Sequence, residues 1–233
     1  MERVSAFYVR HLLLPLLAGL LLAWLFDLTR LDWRMSNWFF DSQAMRFPLR
    51  DNPFLEIGLH HIVKYVVVVF AVAVAAVTIA SFLKPQWRHY RPLLIFLVLS
   101  LGLSSAAVSE LKTLTGLHCP YELTAYGGDM PFFGVFDVRP KGVPAGRCWP
   151  GGHASTAFCL FGLYFALGWV GRREQANAIL LGTLLLGLVL GMGRVAQGAH
   201  FMSHNLWSAL ICWLLTLGLY ELLLRRRKFG RFP

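Results

Sequence analysis

Six long apolar runs divide the chain and limit what it can fold into. Each run has the length, roughly 20 residues, that an α-helix needs to cross the hydrocarbon core of a bilayer. Apolar residues make up 57% of the chain, which is well above the share that is usual in a soluble domain. The sequence therefore predicts an all-α, six-transmembrane helix bundle in a single membrane-embedded domain, residues 1–233. The predicted spans are residues 12–29, 62–82, 93–114, 153–170, 177–196 and 203–224.

The first run also fits a signal peptide, because it follows a short basic start. No small-residue cleavage site comes after it, since the chain continues with Asp27, Leu28, Thr29 and Arg30. We therefore interpret this run as the first span.

Basic residues are in excess, with 22 Lys and Arg against 12 Asp and Glu. Such an excess is one sign of nucleic-acid binding, but here the basic residues cluster at the ends of the apolar runs, where they carry topology information. The basic loops at residues 83–92 and 171–176 and the basic tail predict cytoplasmic N and C termini. Residues 31–61 alternate aromatic and polar residues, as an interfacial segment does, and residues 115–152 form a long periplasmic loop.

Three polar stretches interrupt this pattern, and counting the spans places all three on the outer face of the membrane. Titratable groups at the mouth of a membrane span are costly, and they usually mark a functional site. The stretches are residues 112–120 (KTLTGLHCP), 149–155 (WPGGHAS) and 193–205 (GRVAQGAHFMSHN).

The third stretch carries three candidate functional side chains. His200 and His204 are four residues apart, so on one helical turn they share a face. They fit structural imidazoles, a pair of metal ligands, or the nucleophile and acid of a group transfer. Arg194 lies on the outer side, where the positive-inside rule gives it no topological role.

The other two stretches add a cation and a glycine pair. Lys112 fits either a snorkelling anchor or a ligand for an anion. Gly151 and Gly152 precede His153 at the start of a span, where backbone amides are able to approach an anion. Together the three stretches predict one phosphate-binding pocket, since phosphoryl transfer needs charge neutralisation, an attacking group and a protonated leaving group.

The three motifs together resemble those of the type 2 phosphatidic acid phosphatase superfamily of membrane lipid phosphatases. That family carries K-x6-R-P, then P-S-G-H, then S-R-x5-H-x3-D. The corresponding residues here are Lys112-x6-Cys119-Pro120, then Pro150-Gly151-Gly152-His153, then Gly193-Arg194-x5-His200-x3-His204.

The resemblance implies a role for each matching residue. His200 is expected to attack phosphorus and form a phosphohistidine, and His153 is expected to protonate the leaving oxygen. The resemblance implies no metal or other cofactor. The residues expected to bind the phosphoryl oxygens are Lys112, Arg194 and the backbone amides near Gly151 and Gly152.

Two departures from the family pattern affect chemistry. Cys119 stands where the family has Arg, and Arg139 or Arg147 in the same loop is a candidate replacement. His204 stands where the family has an Asp that accepts the Nδ1 proton of the nucleophile. A neutral His accepts that bond without bringing a negative charge, which predicts a weaker relay or help from Glu110 or Asp137. The family serines are replaced by Gly151 and Gly193, which are milder changes.

Cysteine placement predicts one disulfide. Cys119 and Cys148 lie at the two ends of the outer loop, and an oxidising periplasm favours their pairing, the alternative being two unpaired thiols. Cys159 and Cys212 lie inside spans and are expected to be free.

The function predicted by these observations is that of a bacterial inner-membrane, multi-pass lipid phosphatase whose active site faces the periplasm. Its partners are the bilayer and a membrane lipid phosphate or pyrophosphate, with no nucleic acid. Candidate substrates by resemblance are undecaprenyl pyrophosphate, phosphatidylglycerol phosphate, phosphatidic acid and the lipid A phosphate. Alternatives are a lipid phosphotransferase with the same intermediate, an anion transporter, a metal-dependent membrane hydrolase and a catalytically inactive relative.

Overall fold

A computed structural model describes residues 6–225 of the chain, which are helical apart from loops and two isolated β-bridges. In this part of the chain, five helices are long and apolar enough to cross a membrane: α1, α3, α4, α7 and α8. The predicted basic ends, residues 1–5 and 226–233, lie outside the described residues. The helices are α1 (Ala6–Thr29), α2 (Leu31–Asn37), α3 (Phe54–Leu83), α4 (Arg91–Thr115), α5 (Gly152–Phe158), α6 (Phe161–Trp169), α7 (Arg173–Ala196) and α8 (Met202–Arg225).

The fourth predicted span, residues 153–170, is divided into α5 and α6. Near its start, the hydroxyl of Ser155 donates to the carbonyl oxygen of Gly152 at 2.7 Å. At the junction, the backbone N–H of Leu160 donates to the carbonyl three residues back, on Ala157, at 2.9 Å. Side chains that bond to helix carbonyls bend helices, and bonds to the third residue back tighten the turn. Neither short helix reaches the roughly 20 residues that a single crossing requires.

The outer helices present apolar side chains on the surface of the bundle. Leu28 on α1 is 64% exposed and Val69 on α3 is 67% exposed. Contiguous apolar surface of this kind marks an interaction site in a soluble protein, and in long apolar helices it is the face that meets lipid tails. The second span begins earlier than predicted, because residues 54–62 already belong to the first turns of α3.

The core lies where α4 to α8 pack against one another. Aromatic side chains from four helices fill it, with Phe96 on α4, Phe158 on α5, Phe161 and Phe165 on α6, and Trp213 on α8. The hydroxyls of Ser100 and Thr216 form a buried hydrogen bond of 3.1 Å between α4 and α8. Small polar residues of this kind let membrane helices approach closely and hold them by hydrogen bonds.

A carboxylate from α2 holds the start of α8. The side chain of Asp32 accepts hydrogen bonds from the backbone N–H of Ser203, at 2.9 Å, and from the hydroxyl of the same residue. The first N–H groups of a helix have no partner inside the helix, and Phe201, which precedes α8, provides no side-chain cap. Burial raises the pKa of the Asp32 carboxyl, while its bonds to Ser203 oppose that shift. Asp32 thereby fixes the helix end that carries His204.

Candidate active site

The three polar stretches meet at one end of the bundle. Lys112 lies in the last turn of α4, and a Cβ atom built on Gly152 would lie 3.0 Å from its Nζ, so the ammonium lies directly against this glycine. The ring centroid of His153, in the first turn of α5, is 5.6 Å from that of His200. The ring centroid of His204, in the first turn of α8, is 5.8 Å from that of His200. Residues that are distant in sequence therefore surround a single site.

Backbone bonds join the start of α5 to the start of α8. The N–H of Gly151 donates to the carbonyl oxygen of His204 at 2.9 Å, and the hydroxyl of Ser208 lies within hydrogen-bond distance of the carbonyls of both residues. The Gly151 amide, one of the predicted phosphate donors, is therefore used within the protein. The amide of Gly152 lies in the first turn of α5, whose early N–H groups have no partner inside the helix.

A close contact explains why position 151 is a glycine. A Cβ atom at this position would overlap the side-chain oxygen of Asn205, so the family's serine does not fit here without a shift. Asn205 is buried, and its Oδ1 atom has no hydrogen-bond partner in the described part of the chain. The motif alone does not reveal this contact, because Asn205 follows the last motif position.

His200 is held in a dry environment between α7 and α8. Its side chain is buried, with 2% of the residue exposed, and its Nδ1 atom lies 3.3 Å from Sγ of Cys148. Burial lowers the pKa of His200 well below its ordinary value, and the positive charge of Lys112 lowers it further. The imidazole is therefore neutral near neutral pH, which is the protonation state that a nucleophile needs.

Arg194 is held by groups that come from outside the motifs. Its Nη1 atom donates to Oε2 of Glu56 at 2.8 Å and to Oε1 of Gln197 at 3.0 Å. Gln197 in turn donates to the backbone carbonyl of Arg50 at 3.0 Å. Sequence motifs did not point to Glu56, because it falls in the segment predicted to be interfacial. In the structure it is the one acidic residue of α3, and acidic residues in membrane helices mark functional positions.

The two candidate replacements for the missing family arginine lie in different places. Arg147 is exposed, and its charge acts on the ammonium of Lys112. The guanidinium of Arg139 lies against Gly116 at the end of α4, with Nη1 2.9 Å from a Cβ atom built there. Asp137 accepts a hydrogen bond from the backbone N–H of Gly134 within the loop. Glu110, the other carboxylate considered for the relay, is exposed.

The sulfur atoms of Cys119 and Cys148 are joined in a disulfide, with 5.0 Å between the Cα atoms, while Cys159 and Cys212 are free and buried. These two sulfurs and a ring nitrogen of His200 lie within 4.8 Å of one another, and they are the group of possible metal ligands found among residues 6–225. Cysteine binds metals as the thiolate, which a disulfide does not provide.

At this end of the bundle two partly buried cations, Lys112 and Arg194, lie near neighbouring imidazoles, the arrangement expected of a site for phosphoryl groups. The family comparison agrees with that class: the model of the PAP2 superfamily matches residues 93–228, more than half of the chain. The chain belongs to the PAP2 superfamily, as its motifs predict.

Across most of its length the chain is similar to the lipid A 4'-phosphatase of Francisella tularensis subsp. novicida (strain U112). The two are 24% identical over 217 residues, which cover 89% of this chain and 93% of the relative. No solved structure matches the chain significantly. The family match begins at residue 93, so Asp32 and Glu56 lie outside it.

Proposed function

We propose that the chain is an integral membrane lipid phosphatase that hydrolyses a lipid phosphate or pyrophosphate at the periplasmic face through a phosphohistidine on His200. The observation that carries this proposal is the convergence of Lys112, His153 and His200, which lie on three separate segments of the chain. Membership in the PAP2 superfamily and the similarity to a lipid A 4'-phosphatase support the class of reaction.

In the first step the neutral imidazole of His200 attacks phosphorus. Because its Nδ1 faces Cys148, Nε2 is the nitrogen that forms the new P–N bond. The P–O bond to the lipid breaks as His153, acting as an imidazolium, gives its proton to the leaving oxygen. Lys112 and Arg194 bind the phosphoryl oxygens, on which charge must be neutralised.

In the second step water hydrolyses the phosphohistidine. His153, now neutral, accepts a proton from the attacking water, the P–O bond to that water forms and the P–N bond breaks. Inorganic phosphate leaves, and both histidines return to their starting protonation states. The sum of the two steps is a lipid phosphate plus water giving a lipid alcohol plus phosphate, and no metal takes part.

The topology that fits this activity has six passes, with α5 and α6 together forming the fourth. Both termini then lie in the cytoplasm, and so do the basic loops at residues 83–92 and 171–176. A cysteine introduced by Arg172→Cys tests this topology. It should react with a membrane-impermeant maleimide in inside-out inner-membrane vesicles and stay unlabelled in intact spheroplasts, and the opposite pattern would reverse the proposed orientation.

The similar relative helps to rank the candidate substrates. A lipid A phosphate is the first candidate because the relative is named for that reaction. Phosphatidic acid, phosphatidylglycerol phosphate and undecaprenyl pyrophosphate complete the panel.

The decisive experiment measures phosphate release by the purified protein from each of these lipids, with His200→Ala as the control variant. Release should occur with at least one lipid, should be lost in His200→Ala, and should be inhibited by vanadate but not by EDTA. Transfer of the phosphate to an added acceptor lipid, with no free phosphate, would assign a phosphotransferase. Release that survives in His200→Ala would contradict the mechanism.

A further inference from the structure

We propose that Cys148, as one half of the Cys119–Cys148 disulfide, is the hydrogen-bond acceptor that positions the nucleophile His200, so that efficient phosphoryl transfer requires the closed disulfide. The catalytic consequence rests on the proposed function, whereas the hydrogen bond itself does not. Cys148 is a positioning residue here, since it contacts His200 and not the substrate.

The contact between the two residues decides where the imidazole proton lies. Sγ of Cys148 is fully buried and lies 3.3 Å from Nδ1 of His200. A disulfide sulfur carries no hydrogen, so it is able only to accept a hydrogen bond. The proton is therefore on Nδ1, and the lone pair that attacks phosphorus is on Nε2.

This contact also accounts for both chemical departures from the family motifs. The position at which the family has an acceptor carboxylate holds His204, whose ring centroid is 5.8 Å from that of His200. The Nδ1 atom of His204 has no hydrogen-bond partner within residues 6–225, and its ring interacts with the backbone of Cys148. The position at which the family has Arg holds Cys119, which completes the disulfide. Together, the two departures remove the family carboxylate as the acceptor of the Nδ1 proton of His200 and supply the disulfide sulfur of Cys148 in its place.

The rest of the loop keeps the sulfur in place. The backbone N–H of Cys148 donates to the carbonyl of Leu117 at 2.9 Å, and the N–H of Gly146 donates to the carbonyl of Gly116 at 2.8 Å. These bonds and the disulfide tie both ends of the outer loop to the end of α4. The sulfur of Cys148 next to His200 is thus held in place by the backbone hydrogen bond of its own residue and by the disulfide.

Reduction would change the chemistry at Nδ1 as well as the cross-link. A dithiol reductant breaks the S–S bond, becomes a disulfide itself and leaves two thiols on the protein. The thiol of Cys148 then carries a hydrogen that it is able to donate to Nδ1 of His200, at 3.3 Å, or to the carbonyl oxygen of Ala199, at 3.1 Å. A bond to Nδ1 favours the tautomer with the proton on Nε2, the nitrogen that has to attack phosphorus.

The first test reads the tautomer directly and needs no activity. The protein is labelled with 15N-histidine, its disulfide is verified by mass spectrometry without reductant, and the His200 signals are assigned by their loss in His200→Gln. The oxidised protein should show the Nδ1–H tautomer, and dithiothreitol should shift the population towards Nε2–H. An Nε2–H tautomer in the oxidised protein would overturn the inference even if phosphatase activity is robust.

The second test separates the acceptor from the cross-link with a matched pair of double variants. Cys119→Ala/Cys148→Met keeps a sulfur that accepts but cannot donate, and Cys119→Ala/Cys148→Leu has nearly the same volume without an acceptor. The Met variant should have a kcat roughly tenfold above that of the Leu variant, with equal KM and equal melting temperature. Equal kcat values in two folded variants would overturn the inference.

If neither double variant folds, the tautomer measurement on the oxidised wild-type protein decides the inference. A protein that shows the Nδ1–H tautomer but releases phosphate from no lipid retains the positioning contact and contradicts the proposed function instead.

Discussion

Lys112 and Arg194 are the two cations of the pocket, and the structure holds them in different ways. The guanidinium of Arg194 is paired with Glu56 at 2.8 Å and bonded to Gln197 at 3.0 Å. The ammonium of Lys112 lies against Gly152, and no carboxylate in the described part of the chain forms an ion pair with it. The charges that act on it, from Arg194 and Arg147, are also positive.

This difference predicts different roles for Arg194 and Lys112. Because Arg194 is partly neutralised and held at two points, its position is set before a substrate arrives. Lys112 carries a charge that is unfavourable to bury without a counter-ion, and a phosphate bound as proposed would supply that counter-ion. The Lys112 side should therefore contribute more to phosphate binding, and the Arg194 side should contribute more to orientation.

The largest effect is expected from Lys112→Met, which removes the uncompensated charge and keeps much of the apolar stem. We expect kcat/KM to fall by roughly 10³-fold, as it does when a group that stabilises transition-state charge is removed. The measurement is the initial rate of phosphate release. Lys64→Met, at an exposed lysine on α3, serves as the control and should be unchanged. A loss of less than tenfold in kcat/KM for Lys112→Met would contradict the proposed difference between Lys112 and Arg194.

The next largest effect is expected from Glu56→Gln, which keeps an oxygen that accepts from Arg194 but removes the charge. We expect kcat to fall by roughly tenfold while KM changes little, because the guanidinium loses its fixed orientation. Glu174→Gln, at the exposed start of α7, is the matched control. A lower KM with unchanged kcat would instead show that Glu56 merely competes with the substrate for Arg194.

A smaller effect is expected at His204, where two substitutions test the weak relay, that is, any support that this residue gives His200 in addition to the contact of Nδ1 with Cys148. His204→Asp restores a carboxylate that is able to stabilise the imidazolium of His200, and it should hold or raise kcat, whereas His204→Ala should lower kcat roughly fivefold. Circular dichroism and melting temperatures check that both variants fold. Loss of activity in His204→Asp together with full activity in His204→Ala would rule out the relay.

The smallest effect is expected from the loop arginines. Arg147→Gln should lower kcat/KM by roughly threefold at low salt, and by less at high salt, because exposed charges are screened. Arg139→Gln, which removes a guanidinium that packs against Gly116, should leave kcat/KM unchanged. Rates at two ionic strengths distinguish the variants, and an equal effect of both would remove Arg147 as the replacement for the family arginine.

The sequence predicted which residues lie together better than it predicted the helix boundaries. Lys112, His153 and His200 were expected to meet, and the structure places them near one another, while their catalytic roles stay predictions. The division of the fourth run at residues 159–160 was not predicted, because it coincides with hydrogen bonds made by individual groups at the junction, from Leu160 to Ala157 and from Cys159 to Thr156. Hydropathy averages over such groups and does not register them.

What the amino-acid sequence determined by itself is local: long apolar runs, basic loops between them and three motifs in a fixed order. The transfer of apolar side chains into lipid depends on neighbouring residues, so the sequence suffices to locate the apolar runs. Tertiary structure alone decided that Glu56 holds Arg194 across 138 positions and that Cys148 faces His200 across 52. Such partners are chosen by helix packing and loop closure, which bring together groups that no local pattern connects.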